Sequence, residues 1–380
     1  MKVWPVVPLC DVLQYRKEFI TIDDMQQYKR CRVQLHAKGV LLRDNLSGAD
    51  IKTKKQQVCR AGEFLVAEID AKMGGFGLVP DELTGAVVSS HYFLFAIDES
   101  ALGPRYLDHY CRTGRFRSQV AAQGSTNYAA IRPADVLAYT IPLPPLAEQQ
   151  ALVARLDALA EKTRQVEAHL DAVERDAEHL LALRFRDAIA NVATRTMAEV
   201  APAVRRPVDV DTTLRYQEVG ARSFGKGLFV KADFDGASAT WQKPVWIKAG
   251  DLVLSNIKAW EGAIAIAAEE HEGCIASHRY ITCVPDHARA TAEFLAYYLL
   301  SEAGLDKVGL ASPGTADRNR TLSLGNLGNI EVPVPPLRAQ QTFDRLQGEV
   351  AALKAKHAAI RQANAALLPA TLERVFAGGD

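Results

Sequence analysis

Clustered cations beside amides are the first residues in this sequence whose types and spacing suggest contact with a charged ligand. Lys52, Lys54 and Lys55 form a basic run that is followed by Gln56 and Gln57. Ammonium groups neutralise phosphates, and amide side chains form paired hydrogen bonds with adenine edges. The run therefore predicts a nucleic-acid contact, while a solvated hairpin tip explains the same residues equally well.

A polar stretch precedes a proline cluster in each half of the chain. One stretch contains Asn127 and Tyr128, and the other contains Arg318, Asn319 and Arg320. Arginine and asparagine form paired hydrogen bonds with guanine and adenine, respectively. We therefore expect these residues to contact DNA; a loop packed on the base of a long helix is the structural alternative.

Two loops that contain glycine occupy corresponding positions in the two halves. Lys72 lies in the loop 70–77, and Lys258 and Trp260 lie in the loop 258–262. Glycine lets a backbone approach a ligand closely, although it also permits an ordinary turn. Because the loop occurs twice, Lys72, Lys258 and Trp260 are candidates for DNA contacts.

Patterns typical of catalysis or cofactor binding are weak. The stretch 220–227 nearly matches a phosphate-binding loop, but Gly227 stands where magnesium needs a Ser or Thr hydroxyl, and 228–230 predicts a strand. The six cysteines are scattered without a CxxC pair, which argues against a zinc site. We predict no catalytic residue, no metal site and no cofactor bound by this chain.

The elements that must position these candidates repeat within the chain. Tyrosine and glycine positions recur 188 residues further on: Tyr28 and Tyr216, Gly39 and Gly227, and Gly62 and Gly250. Ser90-His91 recurs as Ser277-His278, one residue out of step, and a proline cluster occurs at 142–146 and again at 333–337. Ordered matches at nearly constant spacing indicate an internal duplication.

A long helical pattern follows each proline cluster, as expected because proline is tolerated just before a helix. The first apolar seam is Leu152, Leu156, Leu159, Thr163, Val166, Leu170, Val173, Ala177 and Leu180. The second is Phe343, Leu346, Val350, Leu353, His357, Ile360, Asn364 and Leu367, in which we expect His357 and Asn364 either to set the register or to be partly solvated. A seam of this period predicts a coiled coil, and two matching seams most simply pack on each other.

The motifs at the helix starts and at the end of the chain resemble those of a known family. The segments 144–150 (PPLAEQQ) and 335–341 (PPLRAQQ) resemble the starts of the two conserved helices in the specificity (S) subunits of type I restriction-modification systems. The tail 367–378 resembles the C-terminal end of that family. Ala339 replaces the acid that Glu148 provides in the first copy, which weakens the second motif slightly.

This resemblance implies a mixed α/β fold with two tandem target-recognition domains, 1–145 and 193–336. They are separated by two spacer helices, 146–192 and 337–380, that form an antiparallel coiled coil. Each domain would recognise one half of a split double-stranded DNA target, and the helices would set the gap. The helices would also dock two methyltransferase subunits, which bind S-adenosylmethionine and methylate adenine. A motor-nuclease (restriction) subunit using ATP and magnesium would complete a restricting complex, and the S subunit itself would be non-catalytic.

Composition is compatible with this picture. The 380 residues contain 45 basic and 45 acidic side chains and are 48% hydrophobic, which excludes a disordered, collagen-like or disulfide-stapled chain. Zero net charge means that DNA affinity must come from local patches and from partner subunits. Without an apolar stretch of membrane-spanning length we expect a cytoplasmic protein that does not bind membranes. A coiled-coil scaffold whose duplicated domains bind protein partners is the alternative function.

Overall fold

The computed structural model describes residues 4–121, 130–238, 243–314 and 320–377. The chain divides into two compact units. Unit 1 comprises Met1–Asp171 together with His357–Asp380, and unit 2 comprises Ala172–Lys356. Each unit therefore contains one αβ body and a part of each long helix.

The elements of unit 1 follow one another in a mixed αβ order. The strands are β1 (Val6–Pro8), β2 (Leu13–Arg16), β3 (Phe19–Thr21), β4 (Gln27–Val33), β5 (Val40–Ser47), β6 (Lys55–Val58), β7 (Phe64–Ala67), β8 (Phe76–Leu78), β9 (Val87–Val88), β10 (Tyr92–Ile97) and β11 (Thr140–Pro142). The helices are α1 (Pro104–Cys111), α2 (Gly114–Ala121), α3 (Pro133–Ala138) and the first part of α4 (Leu146–Ile189).

Unit 2 has a similar order of elements. Its strands are β12 (Thr194–Thr196), β13 (Arg215–Tyr216), β14 (Val219–Ala221), β15 (Leu228–Val230), β16 (Phe234–Asp235), β17 (Val245–Trp246), β18 (Leu252–Ser255), β19 (Ile264–Ile266), β20 (Ile275–Ala276), β21 (Tyr280–Cys283) and β22 (Glu331–Pro333). Its helices are α5 (Met197–Val200), α6 (Ala292–Leu300), α7 (Glu302–Leu310), α8 (Leu324–Gly328) and the first part of α9 (Leu337–Phe376), which ends in unit 1.

The core of unit 1 lies on both faces of a four-stranded sheet with the order β2-β10-β7-β8. Successive side chains of a strand point to opposite faces. Phe64 and Phe95 accordingly pack in one apolar cluster with Tyr106 of α1. Leu65 and Leu94 pack in a second cluster with residues of the five-stranded sheet β3-β6-β9-β4-β5. The fully apolar sequence of β7 is explained by this burial on both faces.

Unit 2 is built around the sheet β19-β18-β21, with the short pairs β13-β16, β14-β15 and β17-β20 beside it. Leu252 and Leu254 of β18 pack with Phe294 of α6, whereas Val253 packs in a separate cluster with Val245. The central strand again has apolar residues on both faces. The duplication seen in the sequence is therefore also a duplication of core architecture.

Strand register corrects one of the sequence matches. Ala67 is paired with Tyr92 in unit 1, and Ser255 is paired with Tyr280 in unit 2, so both partners keep the offset of 188. The strand pairing therefore makes Arg279, and not His278, the counterpart of His91. The match of the two Ser-His pairs was wrong because a dipeptide of the same type lies one position away.

The glutamine of each proline-glutamine motif ties a long helix to the body of its unit. Gln149 is buried, donates to the carbonyls of Ala101 and Pro144, and accepts from the Gly103 N–H. Gln340 is also buried and uses both ends of its amide in the same way, with Arg289, Pro335 and Thr291. The motif therefore satisfies buried backbone groups where the chain enters each helix.

The repeated Ala-Gly-acid motif has a similar structural use. In unit 1 the buried Glu63 carboxylate accepts from the Arg16 guanidinium and from the backbone N–H of Arg60. In unit 2 the buried Asp251 carboxylate accepts from Arg206 and from the N–H of Lys248. Each buried charge is therefore both paired and hydrogen-bonded.

The two long helices run antiparallel where they meet in unit 1. The Asn364 amide donates to the carbonyl of Thr163 at 2.9 Å and to Glu167 at 2.8 Å. Arg361, one turn earlier in α9, bonds Glu167 at 2.7 Å and Asp171 at 2.9 Å, further along α4. The hydrogen bond from Asn364, followed by that from Arg361, holds the pKa of the Glu167 carboxyl below its usual value. Asn364 thus fixes the pairing of the helices, as a polar seam residue is expected to do.

In unit 2 the same helices meet through aromatic packing. Phe185 of α4 contacts Phe343 of α9, with ring centroids 5.3 Å apart, and Lys354 pairs with Glu178 at 2.7 Å. The apolar seams are buried only in part. The seam residues left exposed are Val166, Leu180, Ile360 and Leu367.

Candidate nucleic-acid interface

Three of the predicted DNA contacts come together in unit 2. Trp260 lies in the single helical turn Ala259–Glu261, and its Nε1 donates to the carbonyl of Ile257 at 3.0 Å. The Arg320 guanidinium lies 4.6 Å and the Lys258 ammonium 5.1 Å from the centre of the Trp260 ring. Both cations are thus held against one aromatic ring by cation–π attraction.

Arg320 also caps a helix. Its Nη2 donates to the carbonyl of Gly309 at 2.9 Å and its Nε to that of Ser312 at 3.3 Å. Helix α7 ends at Leu310, so these carbonyls lie at its negative end, where a cation is favourable. Two donor groups of Arg320 bond carbonyls of unit 2, and its guanidinium packs on the Trp260 ring of the same unit. These contacts are those of a residue that positions its neighbours. Its predicted contact with DNA stays a prediction.

Lys258 is partly neutralised by a neighbouring carboxylate. Its ammonium bonds Glu261 at 2.6 Å, and the Ser223 hydroxyl donates to the other oxygen of Glu261 at 3.0 Å. The bond from Lys258 and, after it, that from Ser223 hold the pKa of Glu261 below its usual value. The Glu261 carboxylate therefore stays ionised around neutral pH, and Lys258 and Trp260 face solvent in part.

In unit 1 the basic run contributes exposed cations but not amides. Lys54 bonds the Gly48 carbonyl at 2.7 Å, Lys55 lies 4.8 Å from the Phe19 ring, and Lys52 is exposed. Gln56 and Gln57 are both buried, and Gln57 donates to the carbonyl of Tyr92 at 2.7 Å. The expectation that these two amides face adenine edges was wrong, because both side chains point into the unit.

The remaining predicted residues are placed as follows. Lys72 lies in the helical turn Ala71–Met73, at the position that corresponds to Trp260 in unit 2. Asn127, Tyr128, Arg318 and Asn319 lie outside the described residues. Their roles stay predictions.

The glycines of these turns approach the tip of a neighbouring hairpin. A Cβ on Gly74 would lie 2.7 Å from the backbone N of Ala37, and one on Gly262 would lie 3.2 Å from the backbone N of Phe224. Both glycines have a left-handed φ, 78° and 79°. The close approach anticipated from the sequence is therefore made to the protein's own backbone.

The hairpin tips were missed at the sequence level. Each consists of a ring residue, a small residue, a lysine and a glycine: His36, Ala37, Lys38 and Gly39 in unit 1, and Phe224, Gly225, Lys226 and Gly227 in unit 2. The tip of unit 2 lies inside the stretch that nearly matches a phosphate-binding loop, but strands β14 and β15 pair around it, as the predicted strand required. Recurrence of the Lys-Gly pair at the offset of 188 was the signal that could have found them.

Two kinds of feature were not found in the part of the chain that the structure describes. Within the described ranges, no cluster of three His, Cys, Asp or Glu side chains could hold a metal ion. No helix in the same ranges is long and apolar enough to cross a membrane.

Solved structures share this fold along nearly the whole chain. The crystal structure of the HsdS subunit from Thermoanaerobacter tengcongensis is 22% identical, with a TM-score of 0.64, and the match covers 99% of this chain and 97% of that one. A chain from a study of complex assembly and conformational transition of the type I R-M system is 20% identical, with a TM-score of 0.71 and coverage of 98% and 97%. No protein-family model and no curated protein matches the sequence. The predicted fold, mixed α/β with two long helices, is confirmed, and so is the resemblance to type I specificity subunits at the level of the fold.

Proposed function

We propose that this chain is the DNA sequence-specificity subunit of a type I restriction-modification complex. The observation that carries the proposal is the fold shared with an HsdS subunit over 99% of the chain. Fold alone does not establish function, so the proposal also rests on sites. In unit 2, the partly exposed Lys258 and Trp260 provide a cation and an aromatic side chain, which are residue types that proteins use to contact phosphates and bases.

In the proposed mechanism each unit recognises one half of a split target. The cations position the duplex by contacting phosphates, and sequence is recognised by side chains at base edges. Lys52 and Lys72 in unit 1 and Lys258 in unit 2 are the cations we assign to phosphates. Arg320 holds the end of α7 and the Trp260 ring in place, so it acts on recognition through its neighbours.

The long helices are proposed to set the gap between half-sites and to dock two methyltransferase subunits. Val166, Ile360 and Leu367 on the helical part of unit 1, and Leu180 in unit 2, are exposed apolar side chains that a docked subunit would cover. The methyltransferase subunits would supply S-adenosylmethionine and the chemistry on adenine. A motor-nuclease subunit would join in a restricting, cytoplasmic complex, while this chain binds no cofactor and performs no chemical step.

The test is to express the chain with the methyltransferase encoded beside it and to map methylated adenines in the host DNA. We expect methylation confined to one split sequence with a constant gap, and protection of that sequence from footprinting by the purified complex. Methylation that is lost when this chain is deleted would support the proposal. Purified complex that protects no split sequence would overturn it in favour of a protein-binding scaffold.

A further inference from the structure

We propose that in each unit the hairpin tip presents an aromatic ring to the nucleobases of bound DNA and a lysine to the adjacent phosphate. We call these segments the ring-lysine tips, residues 36–39 and 224–227. The inference rests on the proposed function and assigns contacts that the basic clusters do not supply. It concerns residues that the sequence patterns left aside.

The backbone of both tips is held in a strained conformation. His36 and Phe224 each have a φ of 63°, a left-handed value that is uncommon for residues other than glycine and an outlier for the bulky phenylalanine. The His36 N–H donates to the Met73 carbonyl at 2.7 Å, and the Phe224 N–H donates to the Glu261 carbonyl at 2.8 Å. The same strained backbone is therefore held by a hydrogen bond at corresponding positions of the two units. Backbone strain that the surrounding structure maintains in this way points to a function for the tip.

The next residue of each tip repeats the contact. The Ala37 N–H donates to Gly74, and the Gly225 N–H donates to Gly262, both at 2.8 Å. Each tip is thus anchored by two backbone bonds to the glycine turn behind it. In unit 2 that turn carries Trp260, so the tip is hydrogen-bonded to the same turn that holds the cation–π cluster.

The rings contribute little to the packing of their own units. Phe224 is 75% exposed, and His36 is also exposed. Glycine or asparagine would adopt the same backbone with less strain. A large ring that is strained, rigid and exposed is therefore explained by a partner that covers it.

Positive charge accompanies each ring. Lys38 and Lys226 occupy the same position of the two tips and both are exposed. The Lys226 ammonium lies 5.7 Å from the Phe224 ring, and the Arg222 guanidinium lies 4.7 Å from the ring of Phe229 on the same hairpin. A two-stranded ribbon fits the major groove, where a ring contacts base edges and an ammonium contacts the phosphate.

Protein docking is the competing explanation. Phe224 borders a groove that is also lined by Leu181, Tyr297 and Leu300, which would suit an apolar segment of a partner. The corresponding ring in unit 1 is a histidine, so apolarity is not shared by the two tips. What they share is a planar ring and a lysine, and this favours nucleobases.

The experiment compares variants of the full chain, in complex with its methyltransferase, on duplex DNA that carries the mapped methylation site. Phe224→Ala should weaken binding to that site about 5- to 100-fold, because the contact between the aromatic ring and the base edges is lost. Phe224→Leu should also bind more weakly than the wild type, whereas Phe224→Tyr keeps the ring and should bind like the wild type. Lys226→Met should weaken specific and random duplexes equally and lower the slope of log K against log salt by about one.

Leu310→Ala is the matched control, since Leu310 is 85% exposed in the same unit and lies outside the tip. It should bind DNA like the wild type. Wild-type affinity of Phe224→Ala or of Phe224→Leu would overturn the inference, and so would loss of the methyltransferase from purified Phe224→Ala, which would indicate docking. If wild-type complex binds no specific DNA, the proposed function fails, whereas a failure confined to the variants concerns the tips alone.

Discussion

At the scale of single residues, the buried glutamine of each proline-glutamine motif makes three hydrogen bonds to backbone groups. Replacing Gln149 by Met keeps the length of the side chain but leaves the Gly103 N–H and the carbonyls of Ala101 and Pro144 without their partner. We expect a loss of about 3 kcal/mol in the free energy of unfolding, measured by urea denaturation. Gln150→Met, at an exposed neighbour, is the control and should cost less than about 0.5 kcal/mol. Equal changes in the free energy of unfolding for the two variants would mean that the hydrogen bonds of the Gln149 amide do not stabilise the fold.

Asp344 on α9 should make unit 2 sensitive to pH. Burial, with a smaller contribution from Glu293, raises the pKa of Asp344 to about 6, although Thr291 and Gln347 lower it in part. The folded chain therefore binds a proton more readily than the unfolded chain, so its stability rises as pH falls through 6 towards the unfolded value near 4.

Asp344→Asn removes this titration. We expect the variant to be more stable than the wild type by on the order of 1 kcal/mol at pH 8, a value reduced for partial exposure, with the difference disappearing near pH 4. Thermal unfolding at the two pH values measures it. Asp306→Asn, at an exposed carboxylate of the same unit, is the control for the loss of one negative charge. A variant that is destabilised at pH 8 would contradict the assignment.

The residue types of the candidate site were predictable, but their partners were not. Lys258, Trp260 and Arg320 were selected for their chemistry, and the structure brings them together. Nothing in the sequence shows that Arg320 meets the carbonyls at the end of α7, because that contact depends on how the chain returns to the helix. For the same reason the burial of Gln56 and Gln57 could not be read from a polar stretch.

At the scale of elements, the glycine turn is what positions the hairpin tip. Gly74→Ala would place a Cβ 2.7 Å from the backbone N of Ala37, at a position whose φ is 78°. We expect the free energy of unfolding to fall by about 3 kcal/mol, because the backbone at Ala37 must move away and an alanine in the left-handed conformation is strained. Gly85→Ala is the matched control, because Gly85 has a φ of 82° and open space around it. Gly85→Ala should lower the free energy of unfolding by about 1 kcal/mol, which is the contribution of the left-handed backbone alone.

Denaturant unfolding of the two variants measures the difference. Equal costs would mean that the close approach between turn and tip is unimportant. If the ring-lysine tip contacts DNA, Gly74→Ala should also weaken binding at one half-site, whereas Gly85→Ala should leave it unchanged. Stability and binding then report on the same element independently.

Long helices were predicted better than strands. A seam of constant period and two prolines before it are local signals, and the helices do begin at Leu146 and Leu337. Many strands have only two to four residues, such as β9 and β17, and their pairing depends on distant segments. The incorrect match of His91 with His278 has the same cause, because the register of a strand depends on the partner strand with which it pairs.

At the scale of the whole molecule, the zero net charge of the chain and its internal duplication have a common consequence for the proposed DNA recognition. A chain with 45 basic and 45 acidic residues gains little from long-range attraction to DNA. Under the proposed function, specificity for a DNA sequence must then come from local surfaces at defined positions. Duplication of one unit supplies two such surfaces on the same fold. The contacts that differ between the units, such as His36 and Phe224, are where the two half-sites would be distinguished.

The helices should then determine the gap between the half-sites. Inserting one heptad after Asp171 in α4 and one after Lys356 in α9 keeps each seam in phase and adds about 10 Å to each helix. We expect the methylated sequence to keep both half-sites while its gap grows by up to about three base pairs. Adenine mapping in a host that carries the variant measures this. Inserting the heptad into α4 alone is the control: it leaves the helices unmatched in length and should abolish methylation. An unchanged gap in the double variant would refute the role of the helices as a spacer, and altered half-sites would show that they also shape recognition.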